Sequence, residues 1–384
     1  MKAISNHPVA VFFFVLLLAG RAEIVQSRTT NQLDSKMPNC SSTQALIKQE
    51  HQNPWHVREQ RVGSSELFYV YFLNGLRGWV AGGHRIYQTS DGGKTWKQSS
   101  LVVPDGLSVR NIFFVQPSIG WLVLDSSLQR NVRLMHTKDG GASWSPLISK
   151  KGFGGKVFFA DRLNGWFVYN ENHIPPFYRP AILHTNDGGN TWVDTSRALL
   201  EVFKPSETGY REAITHVIAQ SASEATLSTL RGRVFTTANH GRTWRENAGP
   251  CEGNFLAGRF GIRSRHLHWM AEGADSIEGY WGLVHSQQED GRWLRYQLPG
   301  FALTDAAFRS ESEVFAAGSS IDKLTGKREA TVLYSSDKGK NWFTIYRNPA
   351  IRRIYSLVIA EDRKILYAAG ENGLFLSLEL PPSY

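Results

Sequence analysis

The residues best suited to chemistry or to ligand binding lie in the long connecting segments of this chain, outside its apolar runs. Ten of them combine ionic and aromatic side chains: Glu171, His173, Phe177, Tyr178, Arg179, Tyr210, Arg211, Tyr280, Lys323 and Arg328. Tyrosine and arginine are common anchors of protein interfaces, and loops on a rigid scaffold commonly carry recognition. The sequence therefore predicts that these residues form a binding surface for a protein partner, with a glycan as the alternative ligand.

Carboxylates in the same segments define the enzymatic alternative. A glycosidase needs two acidic side chains that face each other across a cleft at a defined separation. Glu171, Glu207 and Asp275 are acids of the long connections, and their spacing does not bring any two of them together. The sequence therefore predicts no catalytic residue, and a non-enzymatic protein is the preferred interpretation over a glycoside hydrolase.

The histidines of this chain suggest a metal site, but their positions do not support one. His136 and His184 occupy the same place in successive repeats, and His285 holds that place in the fifth, which favours a structural role in strands. His266 and His268 share one strand face, but no cysteine or carboxylate is spaced to complete a site. The chain also lacks a glycine-rich phosphate loop and a Gly-x-Ser-x-Gly nucleophile motif. We therefore predict neither a metal nor a cofactor.

One octapeptide, Thr89–Trp96 (TSDGGKTW), decides the architecture. It recurs at residues 137–144, 185–192, 237–244 and 335–342, with a degenerate copy at 286–293. The closing tryptophans are 48 to 52 residues apart. A repeat of this length is typical of solenoids and propellers, in which each repeat is one supersecondary unit.

The octapeptide is interpreted as a structural turn between the third and fourth strands of each repeat. Its acidic residue can accept hydrogen bonds from backbone amides of the same turn, and the glycine in its fifth position allows a positive φ. Its tryptophan packs between neighbouring repeats. The predicted structural residues are Asp91, Trp96, Asp139, Trp144, Asp187, Trp192, Asn239, Trp244, Asp337 and Trp342.

The second repeat shows how one unit folds. Short apolar runs at Asn111 to Val115, Gly120 to Leu124 and Arg133 to His136 precede the octapeptide, and Ser143 to Leu147 follows it. Four short strands in about 48 residues form one antiparallel propeller blade. The pairs Gly78-Trp79, Gly120-Trp121 and Gly165-Trp166 open the second strand in three successive repeats.

The strand count predicts seven blades, although only six octapeptides are visible. Three strands follow Trp342 without an octapeptide, and an N-terminal strand around Trp55 to Val62 would supply the fourth. Such a closure leaves no open edge in the ring. The predicted fold is therefore all-β, a single seven-bladed propeller of four-stranded antiparallel blades closed by an N-terminal strand.

The remaining boundaries follow from composition. Residues 1–22 read as a signal peptide, 23–52 as a polar leader, 53–380 as the propeller and 381–384 as a tail. No later segment is apolar enough to span a membrane, so we expect a secreted or periplasmic monomer. The formal charge of +9 is spread along the chain, which does not favour nucleic-acid binding. Cys40 and Cys251 either pair or stay free thiols.

The octapeptide resembles the Asp-box, or bacterial neuraminidase repeat, of sialidases, xyloglucanase-like glycosidases, sortilin-type receptors and the photosystem II stability/assembly factor family. The segment from Phe72 to Trp96, with Gly78-Trp79 before the box, is most similar to the last family. The resemblance covers roughly residues 53 to 380. It implies a seven-bladed, non-enzymatic propeller that binds another protein through an arginine-rich surface, which the resemblance does not map onto individual residues.

The other Asp-box families fit less well. Sialidases carry Arg-Ile-Pro near the start of the propeller, and the nearest string here is Arg352 to Tyr355 (RRIY), at the other end of the chain. The chain has the length of one propeller rather than two, and it lacks a cysteine-rich module after it. The expected function is therefore that of an exported protein-binding scaffold or assembly factor.

Blade topology predicts which surface carries that function. The octapeptide hairpins and the turns between first and second strands share one face of the disc, here called the box face. The connections between second and third strands, and from one blade to the next, emerge on the opposite face, here called the loop face. The long connections therefore lie on the loop face, and the repeated boxes lie on the other.

Overall fold

The computed structural model describes sixteen stretches of the chain between residues 40 and 381. They are residues 40–49, 55–63, 65–82, 84–126, 130–171, 178–203, 213–229, 233–247, 259–263, 266–276, 279–288, 290, 292–322, 324–360, 362 and 364–381. For residues 40–42, 49 and 259–281 only the backbone is described. The predicted signal peptide, Cys251 and residues 382–384 lie outside these stretches, so a pairing of the two cysteines stays a prediction.

The first four blades are antiparallel sheets of four consecutive strands each. Blade one contains β4 (Tyr69–Phe72), β5 (Gly78–Gly82), β6 (Arg85–Thr89) and β7 (Lys97–Gln98). Blade two contains β8 (Ser108–Phe114), β9 (Gly120–Ser126), β10 (Asn131–Thr137) and β11 (Ser145–Lys151). Blade three contains β12 (Phe153–Phe159), β13 (Gly165–Glu171), β14 (Arg179–Thr185) and β15 (Val193–Asp194). Blade four contains β16 (Ile214–Ala219), β17 (Ala225–Thr229), β18 (Val234–Thr237) and β19 (Arg245–Asn247), preceded by helix α1 (Ser196–Phe203).

The last three blades also use strands from the N-terminal part of the chain. Blade five contains β20 (Arg259–Arg263), β21 (His266–Ser276), β22 (Gly279–Gln287) and β23 (Trp293–Gln297), with β1 (Cys40–Gln44) outside it. Blade six contains β24 (Phe301–Phe308), β25 (Val314–Ile321), β26 (Arg328–Ser335) and β27 (Asn341–Asn348), with β2 (Leu46–Gln49) outside it. Blade seven contains β28 (Ile354–Ile359), β29 (Ile365–Gly370), β30 (Leu374–Glu379) and β3 (Val57–Arg61).

The predicted ring closure is confirmed. Strand β3 pairs antiparallel with β30, from Val57 opposite Leu378 to Arg61 opposite Leu374. On its other side, Glu59 accepts hydrogen bonds from the Tyr346 hydroxyl, at 2.8 Å, and from Asn348 Nδ2. The seventh blade thus takes its outer strand from one end of the chain and its inner strands from the other.

Two further N-terminal strands were not expected. Residues 40–49 lie within the predicted polar leader, yet β1 pairs in parallel with β23 and β2 pairs in parallel with β27. Ala45, between the two strands, is 2% exposed, and its amide donates to the Gln297 carbonyl at 2.9 Å. A strand added to the outer edge of a blade stays largely solvated. The sequence of such an edge strand is therefore polar and lacks the hydrophobic alternation from which a strand is normally predicted.

The octapeptides form the predicted turns. In blade one the Thr89 hydroxyl donates to Asp91 Oδ1 at 2.7 Å and accepts from the Gly93 amide at 2.9 Å. Asp91 in turn accepts from the amide and the hydroxyl of Thr95. Both glycines have positive φ, 73° at Gly92 and 76° at Gly93. These hydrogen bonds hold the pKa of the Asp91 carboxyl well below its ordinary value, so the turn keeps its charge across the physiological range.

The boxes also lie on the predicted face. In each box-containing blade, the amide of the fourth box residue donates to a carbonyl in the turn between the first two strands of that blade. The pairs are Gly92 with Leu76, Gly140 with Ser118, Gly188 with Leu163, His240 with Ser223 and Lys338 with Ser312. The box hairpin and the first turn of each blade are therefore neighbours on one side of the disc.

Ring stacking joins the blades. The indole of Trp79, on the second strand of blade one, lies 3.6 Å from the Phe114 ring of blade two. Trp121 of blade two stacks on Phe159 of blade three at the same distance. Such buried aromatic pairs contribute large apolar areas to each interface. The glycine before the tryptophan is required, because a Cβ at Gly120 would meet the Phe114 ring at 2.4 Å.

A second, polar contact joins the inner strands. The first strand of blades two, six and seven has a β-bulge. The side chain of the residue that follows the bulge accepts a hydrogen bond from a backbone amide of the next blade. Asn111 Oδ1 accepts from the Val157 amide at 2.8 Å, and Asp305 Oδ2 accepts from the Leu357 amide at 2.8 Å. Ser356 Oγ accepts from the Val70 amide at 3.3 Å. The bulges thus aim short polar side chains across three interfaces, which satisfies inner-strand amides that would otherwise be buried without partners.

The histidine that precedes the third box predicts a pH-dependent stability. His184 is 7% exposed and lies edge-on to Trp166, at 4.7 Å, and to His240, at 5.1 Å. Burial, with smaller effects of His240 and Arg242, lowers the pKa of His184 to about 4. The unfolded state therefore binds the proton first as pH falls. Stability should decrease from about pH 6.5 to about pH 4, by up to about 3 kcal/mol.

The replacement His184→Gln tests this, because Gln88 occupies the equivalent position in blade one. Urea unfolding at pH 7, 5.5 and 4.5 should show a smaller pH dependence in the variant than in the wild type. Equal pH dependence in the two proteins would show that His184 does not titrate in this range.

Candidate functional site

The structure describes the side chains of four of the ten predicted binding residues. Glu171, Tyr178 and Arg179 lie together on blade three, and Arg328 lies on blade six at the start of β26. His173, Phe177, Tyr210, Arg211 and Lys323 lie outside the described residues, as does the side chain of Tyr280. The binding role of the ten residues stays a prediction.

The blade-three residues form the base of a loop. Glu171 and Arg179 are directly opposite each other on β13 and β14, and their side chains form an ion pair at 2.6 Å. The Tyr178 ring lies edge-on to Phe153 at 5.2 Å. The carboxylate of Glu171 is thus engaged by an arginine on the neighbouring strand. The other two acids considered for catalysis, Glu207 and the side chain of Asp275, lie outside the described residues.

A second cluster, absent from the sequence prediction, occupies the loop face where blades seven and one meet. The Phe68 ring, 37% exposed, lies 4.9 Å from the Tyr355 ring. The guanidinium of Arg353 lies over the Tyr355 ring, 5.8 Å from its centroid. The neighbouring Arg352 is exposed. Exposed aromatic and arginine side chains that touch one another are typical of binding surfaces.

Two acids complete the surroundings of Tyr355. Burial, and then the charges of Glu66 and Glu371, raise the pKa of Tyr355 to about 12, while the two arginines oppose that increase. The phenol therefore stays protonated and is available as a hydrogen-bond donor. Glu371 also accepts a hydrogen bond from the Arg352 amide at 2.9 Å, which fixes the backbone that presents the arginines.

Positive charge continues along the inner strands of blades two and three. Lys156 Nζ donates to the Arg110 carbonyl at 3.0 Å and lies 5.7 Å from the centroid of the Tyr69 ring. Tyr69 follows Phe68 in the sequence, but its ring packs toward blade two, whereas the Phe68 ring contacts Tyr355 of blade seven. Arg110 is 45% exposed and forms an ion pair with the buried Asp125 at 3.4 Å.

We call this group the inner-rim cluster. It consists of Phe68, Tyr69, Arg110, Lys156, Arg352, Arg353 and Tyr355. Four of its seven members are cationic, and its rings offer flat surfaces beside those charges. Such a surface suits a polypeptide segment with carboxylate and apolar groups. The sequence signal of this cluster is the basic string Arg352 to Tyr355 (RRIY), which is only a distant match to the sialidase motif.

The described residues offer neither a metal site nor a helix that could span a membrane. No three histidine, cysteine, aspartate or glutamate side chains among those described are placed to hold a metal ion. None of the helices in the described stretches combines the length and the apolar character needed to cross a membrane.

Fold and repeats together define a class: the protein is an Asp-box β-propeller with seven blades. The profile of the family described as "Photosynthesis system II assembly factor YCF48" matches residues 47–164 and 109–257. Because these matches cover more than half of the chain, the chain belongs to that family.

Curated relatives agree over most of their length. The chain is 24% identical over 322 residues to the "Photosystem II assembly lipoprotein Ycf48" of Synechococcus sp. (strain CC9902), covering 80% of this chain and 83% of the relative. It is 23% identical over 348 residues to the "Photosystem II stability/assembly factor HCF136, chloroplastic" of Arabidopsis thaliana, covering 73% and 78%. Both relatives are named as assembly or stability factors, and neither is named as an enzyme.

Solved structures show the same fold. A structure described as "YCF48 bound to D1 peptide" superposes with a TM-score of 0.60 at 19% identity, covering 87% of this chain and all of that one. The GH74 xyloglucanase of Xanthomonas campestris superposes with a TM-score of 0.55 at 14% identity, and this chain matches 53% of it. At these identities, the likeness supports the seven-bladed architecture and not an activity.

Proposed function

We propose that this protein is a non-enzymatic assembly or stability factor that holds a segment of a partner protein on the inner-rim cluster. The single observation that carries the proposal is the contact of Arg353 and Phe68 with Tyr355 at the meeting of blades seven and one. Membership in the assembly-factor family and the relative described with a bound D1 peptide support it. An extended segment of a photosystem-type membrane protein is the proposed ligand class.

The geometry explains how such a segment would be held. The protonated Tyr355 hydroxyl is a hydrogen-bond donor, and the guanidinium groups of Arg352 and Arg353 bind carboxylates with paired N–H groups. The half-exposed ring of Phe68 contributes apolar contact area next to them. Attraction between these cations and an acidic segment would also make the affinity depend on salt concentration.

The proposal also includes the compartment in which the protein works. A lipoprotein is among the relatives, and we propose that this chain works on the exported side of a membrane, in the periplasm or an equivalent lumen. The glycan-binding alternative is less well supported, because the described acid of the predicted loop, Glu171, is paired with Arg179 at 2.6 Å.

Binding of a fluorescently labelled D1 peptide, measured by anisotropy, tests the proposal. We expect the double variant Arg352→Ala/Arg353→Ala to weaken binding at least about tenfold, since two charge-assisted contacts are lost. Phe68→Ala should weaken it by a smaller factor. Circular dichroism would establish that each variant keeps the fold.

A matched control removes the same charge from the other face. Lys94 and Lys138 are exposed on the first two boxes, so Lys94→Ala/Lys138→Ala changes the net charge equally but leaves the inner-rim cluster intact. The control should bind the peptide as the wild type does. Equal affinities for all three proteins, or equal losses in both double variants, would contradict the assignment of the site.

A further inference from the structure

The outer edge of blade two differs from the outer edges of its neighbours. Strand β11 (Ser145–Lys151) has seven residues and, within the described part of the chain, pairs only with β10. The outer strands of blades one, three and four have two, two and three residues. Very short edge strands protect a sheet against pairing with other chains. Blade two lacks this form of protection and presents a longer edge to the solvent.

The long outer edges of two other blades are covered by strands of the same chain. Strand β1 pairs in parallel with β23 of blade five, and β2 pairs in parallel with β27 of blade six. The pairing of β2 needs only four residues, from Leu46 opposite Asn341 to Gln49 opposite Thr344. Blades five and six therefore show that an outer strand of this ring accepts one further strand, which adds backbone hydrogen bonds. No described strand occupies the same place on β11.

Residues 148–151, at the loop-face end of β11, are suited to such pairing. They lie opposite residues 131–134 of β10 without interruption, and the register shifts only on the box side of them. Pro146, which has no N–H group to donate, lies beyond that shift. The last three residues of β11 are exposed. The edge thus offers four regular and accessible residues, which equals the length of β2.

Positive charge also distinguishes blade two from the next blade. From residue 108 to 151 the sequence has six lysine or arginine residues and two acids, whereas from 153 to 194 it has three and four. The six cations are Arg110, Arg130, Arg133, Lys138, Lys150 and Lys151. Of the two acids, Asp125 contacts Arg110 and the Gly154 amide, and Asp139 is held within its box. Strands β10 and β11 contain no acid, so the edge has an excess of positive charge.

This charge determines which strand the edge can accept. Pairing with a second copy of β11 would bring Lys150 and Lys151 close to the same lysines of that copy, and like charges on adjacent strands are unfavourable. A strand with acidic side chains would instead form ion pairs across the new ladder. We propose that residues 148–151 bind an extended acidic segment of a partner protein as an added β-strand. The main chain supplies affinity, and the lysines select for acidic side chains.

Hydrogen exchange measured by mass spectrometry tests the proposal on the full protein, with acetyl-Glu-Val-Glu-Val-Glu-Val-amide as the probe. At a saturating concentration the probe should slow exchange of the amides in residues 145–151 at least about fivefold, because N–H groups on the outer side then donate to the added strand. The same peptide N-methylated at every residue keeps its charge but cannot form the ladder, and should leave the exchange unchanged. A peptide with lysine in place of glutamate should also leave it unchanged.

Charge-matched variants locate the site. Lys150→Glu/Lys151→Glu should weaken binding of the probe at this strand at least about tenfold. Lys94→Glu/Lys97→Glu makes the same charge change on exposed lysines of blade one, whose outer strand has two residues, and should leave binding unchanged. Arg352→Ala/Arg353→Ala should also leave it unchanged, because the edge of blade two shares neither arginine. Failure of the inner-rim cluster and failure of this edge can thus be told apart.

The proposal is overturned if the N-methylated peptide slows exchange as much as the probe, since charge alone would then explain the effect. It is also overturned if both lysine variants weaken the effect equally, if no peptide slows exchange at this strand, or if vesicles of phosphatidylglycerol slow it and the probe does not. Should Lys150→Glu/Lys151→Glu fail to fold, the comparison of the three peptides on the wild type decides the question.

Discussion

Asp305→Ala is expected to lower the free energy of unfolding by about 3 kcal/mol, because it leaves buried backbone amides without acceptors. The Asp305 side chain is 2% exposed; its Oδ2 accepts from the Leu357 amide of the next blade and its Oδ1 from the Ala306 amide, each at 2.8 Å. Neither amide can reach water in the folded protein. The loss should appear as a lower midpoint in urea with an unchanged m-value.

Asp305→Asn supplies the matched control, since Asn111 makes the equivalent contact between blades two and three at 2.8 Å. An amide oxygen can still accept from Leu357, so this variant should lose less than about 1 kcal/mol. If the asparagine variant were destabilised as much as the alanine variant, the charge of Asp305 rather than its hydrogen bonds would be the stabilising feature.

Gly120→Ala should destabilise the wild type by about 2 kcal/mol, yet it should cost almost nothing in a Phe114→Ala background. The added Cβ would meet Phe114 Cδ1 at 2.4 Å, and that ring cannot retreat because Trp79 stacks on it at 3.6 Å. Phe114→Ala alone should cost about 4 kcal/mol through lost packing. Blade four shows the relaxed version of this pair, with Ala219 opposite Ala225.

A double-mutant cycle from urea unfolding of the four proteins measures this coupling. A coupling energy of about 2 kcal/mol would attribute the glycine requirement to the phenylalanine ring. If the two losses were additive, the cost of Gly120→Ala would not depend on the Phe114 ring, and the steric explanation would be wrong.

The architecture was predictable because the repeat encodes local geometry. Each octapeptide specifies a turn whose hydrogen bonds lie within the octapeptide, as between Thr89 and Asp91. The tryptophan spacing gives the blade count, and the three strands after Trp342 require a partner, which β3 supplies. The contacts that could be predicted are therefore those that are short-range or that follow from the need to close the ring.

The inner-rim cluster was not predictable in the same way. Phe68 and Tyr355 are separated by almost the whole ring in sequence, and only closure brings them within 4.9 Å of each other. The prediction relied on loop length, which selected the loops of blades three to six. The basic string at Arg352 lies instead in a short connection between blades, whose length carries no signal.

The three N-terminal strands impose an order on biosynthesis. Strands β1, β2 and β3 leave the ribosome first, yet their partners β23, β27 and β30 are among the last strands to be made. Pairing across such sequence separations is slow, because the whole intervening chain must be ordered first. The earliest part of the chain must therefore wait, extended and unpaired, while blades one to four form. During that interval it is exposed to pairing with other chains, and its polar sequence, in place of an apolar one, limits that hazard.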